Sequence, residues 1–266
     1  MPAPVQSFFH PDSHTFSYVV HDPATRHAAL IDAALDYDAD SGTLSDAALQ
    51  PLLDHVRDNA LDVRWLLETH AHADHVSAGR MLKARFPQAT LAIGEGIRAV
   101  QATFAPRLAL DLSAMPEAFD HLFADGERFA LGSLDARVIA VPGHTSDSIA
   151  YLIGDALFTG DSLFMPDGGT ARCDFPGGDA AQLYRSIQRL LALPDTTRVF
   201  VCHDYGPGGR DFANETTIGE QRAHNIHVHD GVAEAEFVSV RQARDATLEE
   251  PKLMQPAVKA NIQGGA

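Results

Sequence analysis

Short apolar runs recur along this chain, each closed by turn residues, and stretches with helical spacing lie between them. Residues 8–20 and 27–31 read as two strands, and the link His21-Asp22-Pro23-Ala24-Thr25 carries turn chemistry, so a hairpin is predicted. Asp32 closes the second strand, and 36–42 is a polar loop. A helix opens at Leu44-Ser45-Asp46, with Ser45 as its cap and Leu49, Leu52, Leu53 and Val56 at helical spacing. Pro51 marks a shifted start or a kink. Residues 63–67 form a strand, 76–86 a helix stopped by Pro87, 90–93 a short strand and 96–104 a weak helix, with a mobile-looking stretch to Pro116. Strands follow at 129–130 and 136–141, then at 149–153 and 156–158, joined by the hairpin signal Gly154-Asp155. Beyond a Gly-rich loop at 167–178, Asp179 caps a helix over 181–191. A strand at 199–202 and a helix at 219–229 come next, and the remainder to Ala266 reads as a polar tail with short structured pieces. Alternating strands and helices predict an α/β protein, and the early hairpins make its sheets mixed.

Four of these strands end in potential metal ligands. The first is followed by Thr69-His70-Ala71-His72-Ala73-Asp74-His75, which packs three histidines and an aspartate into six positions. In an extended segment His70 and His72 project to one side. The others end in His144, Asp161 and His203. Imidazole and carboxylate suit zinc, iron or manganese rather than calcium. Ligands at the ends of several strands of one sheet can converge on one point.

With 266 residues, 45% hydrophobic and 21% charged, the chain can bury a sizeable core. The net charge of −16 argues against nucleic acid or an anionic membrane as partner, though a local metal or arginine pair leaves an anionic small substrate open. Cys173 and Cys202 make neither a disulfide framework nor a C-x-x-C knuckle. No signal peptide, transit peptide or apolar run of transmembrane length is seen, so a soluble cytoplasmic protein is expected.

The sequence resembles the metallo-β-lactamase superfamily in residues 69–75 (THAHADH), 142–145 (PGHT), 159–161 (TGD) and 202–205 (CHDY), which occur in the family's order. The resemblance implies an αββα sandwich of two mixed β-sheets flanked by helices, with the metal at one edge of the facing sheets. It implies a single domain over 1–266, in which 206–266 is a C-terminal extension near the substrate. Residues 170–175 (TARCDF), His203-Asp204-Tyr205 and Gln221-Arg222 are similar to the persulfide dioxygenase branch, glutathione-linked sulfur enzymes with one iron. Glyoxalase II is the nearest hydrolytic neighbour. The loop between Asp161 and Arg172 is longer than usual for the mitochondrial-type enzymes, and Thr170 and Cys173 stand where the family often has Cys and Thr.

Two arrangements of the same residues follow. In the dioxygenase form His70, His144 and Asp161 bind one Fe(II) and are the catalytic set, leaving positions for water, O₂ and a substrate sulfur. His72, Asp74, His75 and His203 then orient these ligands. In the hydrolase form His70, His72 and His144 hold one Zn(II), Asp74, His75 and His203 a second, and Asp161 bridges. The family's flavodiiron variant has a carboxylate where His72 stands. The favoured reading is a mononuclear Fe(II) dioxygenase that oxidises glutathione persulfide, or a similar small persulfide, with O₂ to sulfite and thiol. The alternative is a binuclear zinc hydrolase of glyoxalase II type acting on a thioester or lactone. The third class is a non-catalytic metal-binding or redox-sensing module. Expected partners are the persulfide and O₂, with no nucleic acid and no membrane, and a homodimer is one open assembly.

Around the ligands, Arg172 and Asp204 are expected behind the site; Arg172 either pairs with Asp174 or Asp204 as an orienting salt bridge or contacts substrate. Tyr205 and Arg222 are candidate substrate contacts, Arg222 through a bidentate grip on a carboxylate; the alternatives are a rim aromatic with a satisfied hydroxyl for Tyr205 and a solvated helix residue for Arg222. Cys173 reads as a packing residue. His10, His14, His21, His27, His55 and His121 read as ordinary surface or packing histidines, and His224, His227 and His229 as a solvated tract. The pairs Gly168-Gly169 and Gly177-Gly178 match no phosphate-loop spacing and read as turns near the site.

Overall fold

The structure, a computed structural model, describes residues 2–266, the side chains at 112, 114 and 116 excepted. In chain order the first half contributes β1 (Val5–His10), β2 (Thr15–His21), β3 (His27–Ile31), β4 (Ala34–Asp38), β5 (Thr43–Ser45), α1 (Gln50–Asp58), β6 (Asp62–Leu67), β7 (Val76–Ser77), α2 (Gly79–Arg85), β8 (Thr90–Gly94), α3 (Ile97–Phe104) and β9 (His121–Phe123). The second half contributes β10 (Arg128–Leu131), β11 (Leu134–Ala140), β12 (Ile149–Ile153), β13 (Ala156–Phe158), α4 (Ala180–Leu191), β14 (Arg198–Phe200), β15 (Glu215–Thr217), α5 (Ile218–His224), α6 (Glu234–Asp245) and α7 (Met254–Asn261).

Two mixed six-stranded sheets result, in the orders β1-β2-β3-β6-β8-β9 and β10-β11-β12-β13-β14-β15, with β5-β4-β7 as a small third sheet. Period-two burial explains why they stack face to face. In the first sheet Val19, Leu30 and Leu66 turn outward to α1, α2, α3 and α7, while their neighbours Val20, Ile31 and Leu67 turn inward to the other sheet. In the second sheet Val138, Tyr151 and Phe158 face inward, and Ile139, Ala150 and Leu157 face outward to α4 and α6. The layers are therefore helix, sheet, sheet and helix, as the motifs imply. The outer helices are fixed by buried stripes such as Leu183, Ile187, Leu190 and Leu191 on α4. Each such side chain contributes about 2 kcal/mol relative to exposure.

Several local expectations need correction. The stretch 8–20 is two strands, because Pro11 to His14 form a turn in which His14 takes a positive φ of 54°. Ser45 ends β5 rather than capping a helix, and α1 starts after Leu49 with Pro51 in its first turn, where a missing N–H costs little. Val76 and Ser77 pair with β4 before α2 begins. The short strands β9 and β15 carry no apolar run to announce them. The polar tail is in fact two packed helices: α6 buries Phe237 against α4, and α7 buries Met254, Ala257 and Val258.

Candidate metal centre

The loop after β6 is fixed before any metal is considered. Asp32, at the end of β3, accepts hydrogen bonds from the Thr69 backbone N–H (2.8 Å) and hydroxyl (2.9 Å). Asp147 accepts from the Ala71 N–H at 2.8 Å. Gly160, at φ 50°, lies so close to this loop that a Cβ there would meet Thr69 Oγ1 at 2.6 Å, so the turn before Asp161 requires glycine.

These contacts also set which ring nitrogens face the centre. The Thr69 hydroxyl donates to Asp32, so it accepts from His70 Nδ1 (3.0 Å), leaving the His70 Nε2 lone pair free. His144 Nδ1 donates to the Arg172 carbonyl at 2.7 Å, which frees its Nε2. His72 is reversed: its Nε2 donates to Asp32 at 3.1 Å, and its Nδ1 is buried without a partner. His203 Nδ1 donates to the His14 carbonyl at 3.2 Å. His75 Nε2 and Asp161 Oδ1 are also buried without hydrogen-bond partners. Five imidazoles thus converge, each with one nitrogen available to a cation.

Two groups of donor atoms each lie within 4.8 Å of one another: His70, His144 and Asp161, and His72, Asp74, His75 and His203. Asp161 stands between them, with Oδ2 3.6 Å from His144 Nε2 and Oδ1 3.4 Å from His203 Nε2. Atoms at such separations can share an ion with bonds of about 2.1 Å. The three orphaned buried atoms show that the donor set fits a cation, since polar atoms left so would each be costly. Burial, reinforced by neighbouring histidines, pushes His70 and His72 well below the usual histidine range, so both are neutral, as ligands must be. Burial alone would raise Asp74, but the imidazoles of His203 and His75 outweigh it and hold the carboxylate ionised.

Behind the centre, Asp32, Glu68 and His72 form a further buried group. Burial raises Asp32, and burial with the Asp32 charge raises Glu68 further. Asp32 accepts from Thr69 and His72, Glu68 only from Ser77, so the negative charge sits on Asp32.

His144 and Asp161 line a cavity of about 410 Å³ walled by Phe164, Phe175, Tyr205 and Arg244. Tyr205 is half exposed on this wall, its ring nearly parallel to that of His203. The Arg172 side chain grips Asp174 through two bonds of 2.6 Å and reaches the Glu249 carbonyl, so its backbone rather than its guanidinium serves His144. Asp204 is buried and held by Arg210 and the Ala213 N–H. Arg222 is not brought to the site. On α5 Gln221 is fully buried and donates to the Phe164 carbonyl, which turns the next side chain outward, where Arg222 pairs with Asp195 and Asp230. Nor is His227 solvated: its Nδ1 accepts from the Thr170 N–H at 3.1 Å. Asp32 was the missed residue with a sequence signal, an acid ending an apolar run. Asp147 and Thr15, whose hydroxyl lies 3.3 Å from Nδ1 of both His75 and His203, carry no such signal.

The superfamily profile described as Metallo-beta-lactamase superfamily matches residues 10–203. The chain belongs to this superfamily. It is 43% identical to Glyoxylase B2 of Dictyostelium discoideum, over 99% of this chain and 91% of that one. It is 47% identical to a beta-lactamase hydrolase-like protein of Agrobacterium fabrum over 98% of its own length, and spans 60% of that longer protein. The crystal structure of ETHE1 from Myxococcus xanthus matches with a TM-score of 0.79 and 33% identity, covering 99% of this chain and 100% of that one. More distant relatives are the bovine mitochondrial persulfide dioxygenase ETHE1, 27% identical over 99% of this chain and 89% of that protein, and a hydroxyacylglutathione hydrolase of Methylococcus capsulatus, 35% identical over 74% of this chain and 65% of that protein. No helix among the described residues is long and apolar enough to cross a membrane.

Proposed function

We propose that this superfamily member is a mononuclear Fe(II) persulfide dioxygenase acting on glutathione persulfide or a similar small persulfide. The observation that carries this reading is the end-to-end likeness to the Myxococcus ETHE1 chain. The site is compatible with it: His144 and Asp161 line the cavity, as do Asp74 and His203, and His70, His72 and His75 are buried behind them. One persulfide, one O₂ and one water would give the thiol, sulfite and two protons. Bound by His70, His144 and Asp161, a ferrous ion would offer open positions at which oxygen and a sulfur ligand can meet. The chain's own part is to orient these three ligands through Thr69, the Arg172 carbonyl and the converging imidazoles, and to limit water with Phe164, Phe175 and Tyr205. In place of Arg222, Arg244 gives the cavity wall positive charge, whereas Arg241, also on that wall, is buried and paired with Asp245. Arg244 has no ion-pair partner among the described residues, which suits a carboxylate-bearing carrier.

A second reading rests on the unpartnered His72 Nδ1 and His75 Nε2, which favour a second ion and thus a binuclear zinc hydrolase. Elemental analysis with oxygen-uptake measurements separates the two. The dioxygenase predicts about one iron per chain and persulfide-dependent oxygen uptake with equimolar sulfite. His203→Ala should then keep its iron and lose about 10–100-fold in activity, while His144→Ala loses both. Two zinc ions per chain, with thioester hydrolysis and no oxygen uptake, would overturn the assignment.

A further inference from the structure

The last residue of α7 returns to the metal loop from the far end of the chain. Asn261 is buried, and its side-chain amide donates to the carbonyls of both His72 and His75, each at 2.9 Å. Its carbonyl oxygen accepts from the Ser77 N–H at 2.9 Å. Both amide protons and one acceptor position are thus used on a single turn. That turn carries Asp74 between the two clamped carbonyls, with His72 and His75 at its ends. The chain beyond Asn261 reinforces the grip: the Ala266 N–H donates to the Ser77 carbonyl at 2.9 Å, and the Ala266 carbonyl accepts from the Met81 N–H at 2.8 Å. Gly265, at φ 84°, brings its backbone so close that a Cβ would meet the Ser77 oxygen at 2.4 Å.

We infer that Asn261 is a positioning residue for the metal loop, setting the directions of His72, Asp74 and His75 through their backbone. Helix α7 is then part of the metal centre's support, although it lies outside the profile-matched region and touches no donor atom itself. This rests on His72, Asp74 and His75 facing the metal centre, as ligands of a second ion or, in the mononuclear arrangement, as the side chains that orient the ligands, and not on which reaction the centre serves, so the test reads metal affinity and spectrum rather than turnover.

The test titrates cobalt(II) into metal-free protein, following its visible absorption, for the full chain and three variants. Asn261→Ala removes all three hydrogen bonds. Asn261→Asp keeps the shape and the Ser77 acceptor but loses both donors, and serves if the alanine variant does not fold. Val258→Ala loosens the core face of the same helix without touching the loop, and controls for general destabilisation. Both Asn261 variants should bind cobalt about 10–100-fold more weakly, with altered absorption bands. Val258→Ala should lower the melting temperature while keeping affinity and spectrum. Unchanged affinity in Asn261→Asp, or an equal loss in Val258→Ala, would show that α7 matters only for stability and would overturn the proposal.

Discussion

Each histidine at the centre has its metal-facing nitrogen fixed by what the other nitrogen touches, and those partners differ in how visible they are along the chain. The donors were legible because they crowd into short motifs at strand ends. Asp32, although it ends an apolar run, and Asn261 could not be tied to the site, because their partners lie 37–40 and 184–189 residues away, and only the fold brings them together. His227 was misread for the same reason, since it sits in a polar tract but folds beneath Thr170. Burial, aided by the charges of Arg241 and Arg244, pushes it down to about 4, from an ordinary value of 6.5. Between those values the unfolded chain binds the proton more readily than the folded one. The stability that neutral His227 contributes is therefore complete above about pH 6.5 and is lost as pH falls through about 4. Replacement by Asn, which can still accept from the Thr170 N–H but does not titrate, should flatten this part of the profile. Calorimetry from pH 7 to 4 should show the melting temperature of the unaltered protein falling more steeply than that of His227→Asn. A constant gap between them would refute the assignment.

Elements were legible in proportion to their length and to the clarity of their start signals. The hairpin β12–β13 and helix α4 matched closely because a Gly-Asp turn and an Asp cap are local devices. Asp179 has the extended backbone of a cap and accepts from the Gln182 N–H at 2.7 Å. Asp179→Ala should cost about 1 kcal/mol, lowering the melting temperature by about 2–4 °C, whereas Asp179→Asn should stay near the original value, since Asn caps equally well. Equal losses in both variants, read by thermal denaturation, would mean that the carboxylate charge rather than the cap matters. By contrast, α1 starts without a side-chain cap, so Ser45 was a plausible but wrong start. The three-residue strands β9 and β15 exist because a neighbouring strand supplies their hydrogen bonds, which no local pattern encodes. Helix α6 escaped notice because most of it faces solvent, and α7 because it is only eight residues long, although Met254, Ala257, Val258 and Asn261 are buried.

At the scale of the molecule, acidity and metal binding are coupled. The protein carries a net charge of −16, and the folded state still gathers Asp32, Asp74 and Asp161 around one buried point. Close packing of these carboxylates with orphaned imidazole nitrogens works against folding unless a cation compensates it. A metal that binds the folded chain and not the unfolded one must therefore stabilise it. At a free concentration one hundred times its Kd the gain is about 2.7 kcal/mol, or about 5–10 °C in melting temperature for a chain of this size. Treatment with a chelator should lower the melting temperature by that amount, and anaerobic Fe(II) should restore it. Because His70, His144 and Asp161 form one donor group and His72, Asp74, His75 and His203 another, the restoring titration also counts ions. With ferrous iron the melting temperature should climb steeply to a near-plateau at one equivalent and rise only logarithmically with free iron beyond it. A plateau only at two equivalents would mean that both groups fill together, which is the behaviour of the binuclear arrangement. No shift on chelation would mean that the buried carboxylates are balanced within the protein, and would remove the link between charge, metal and stability.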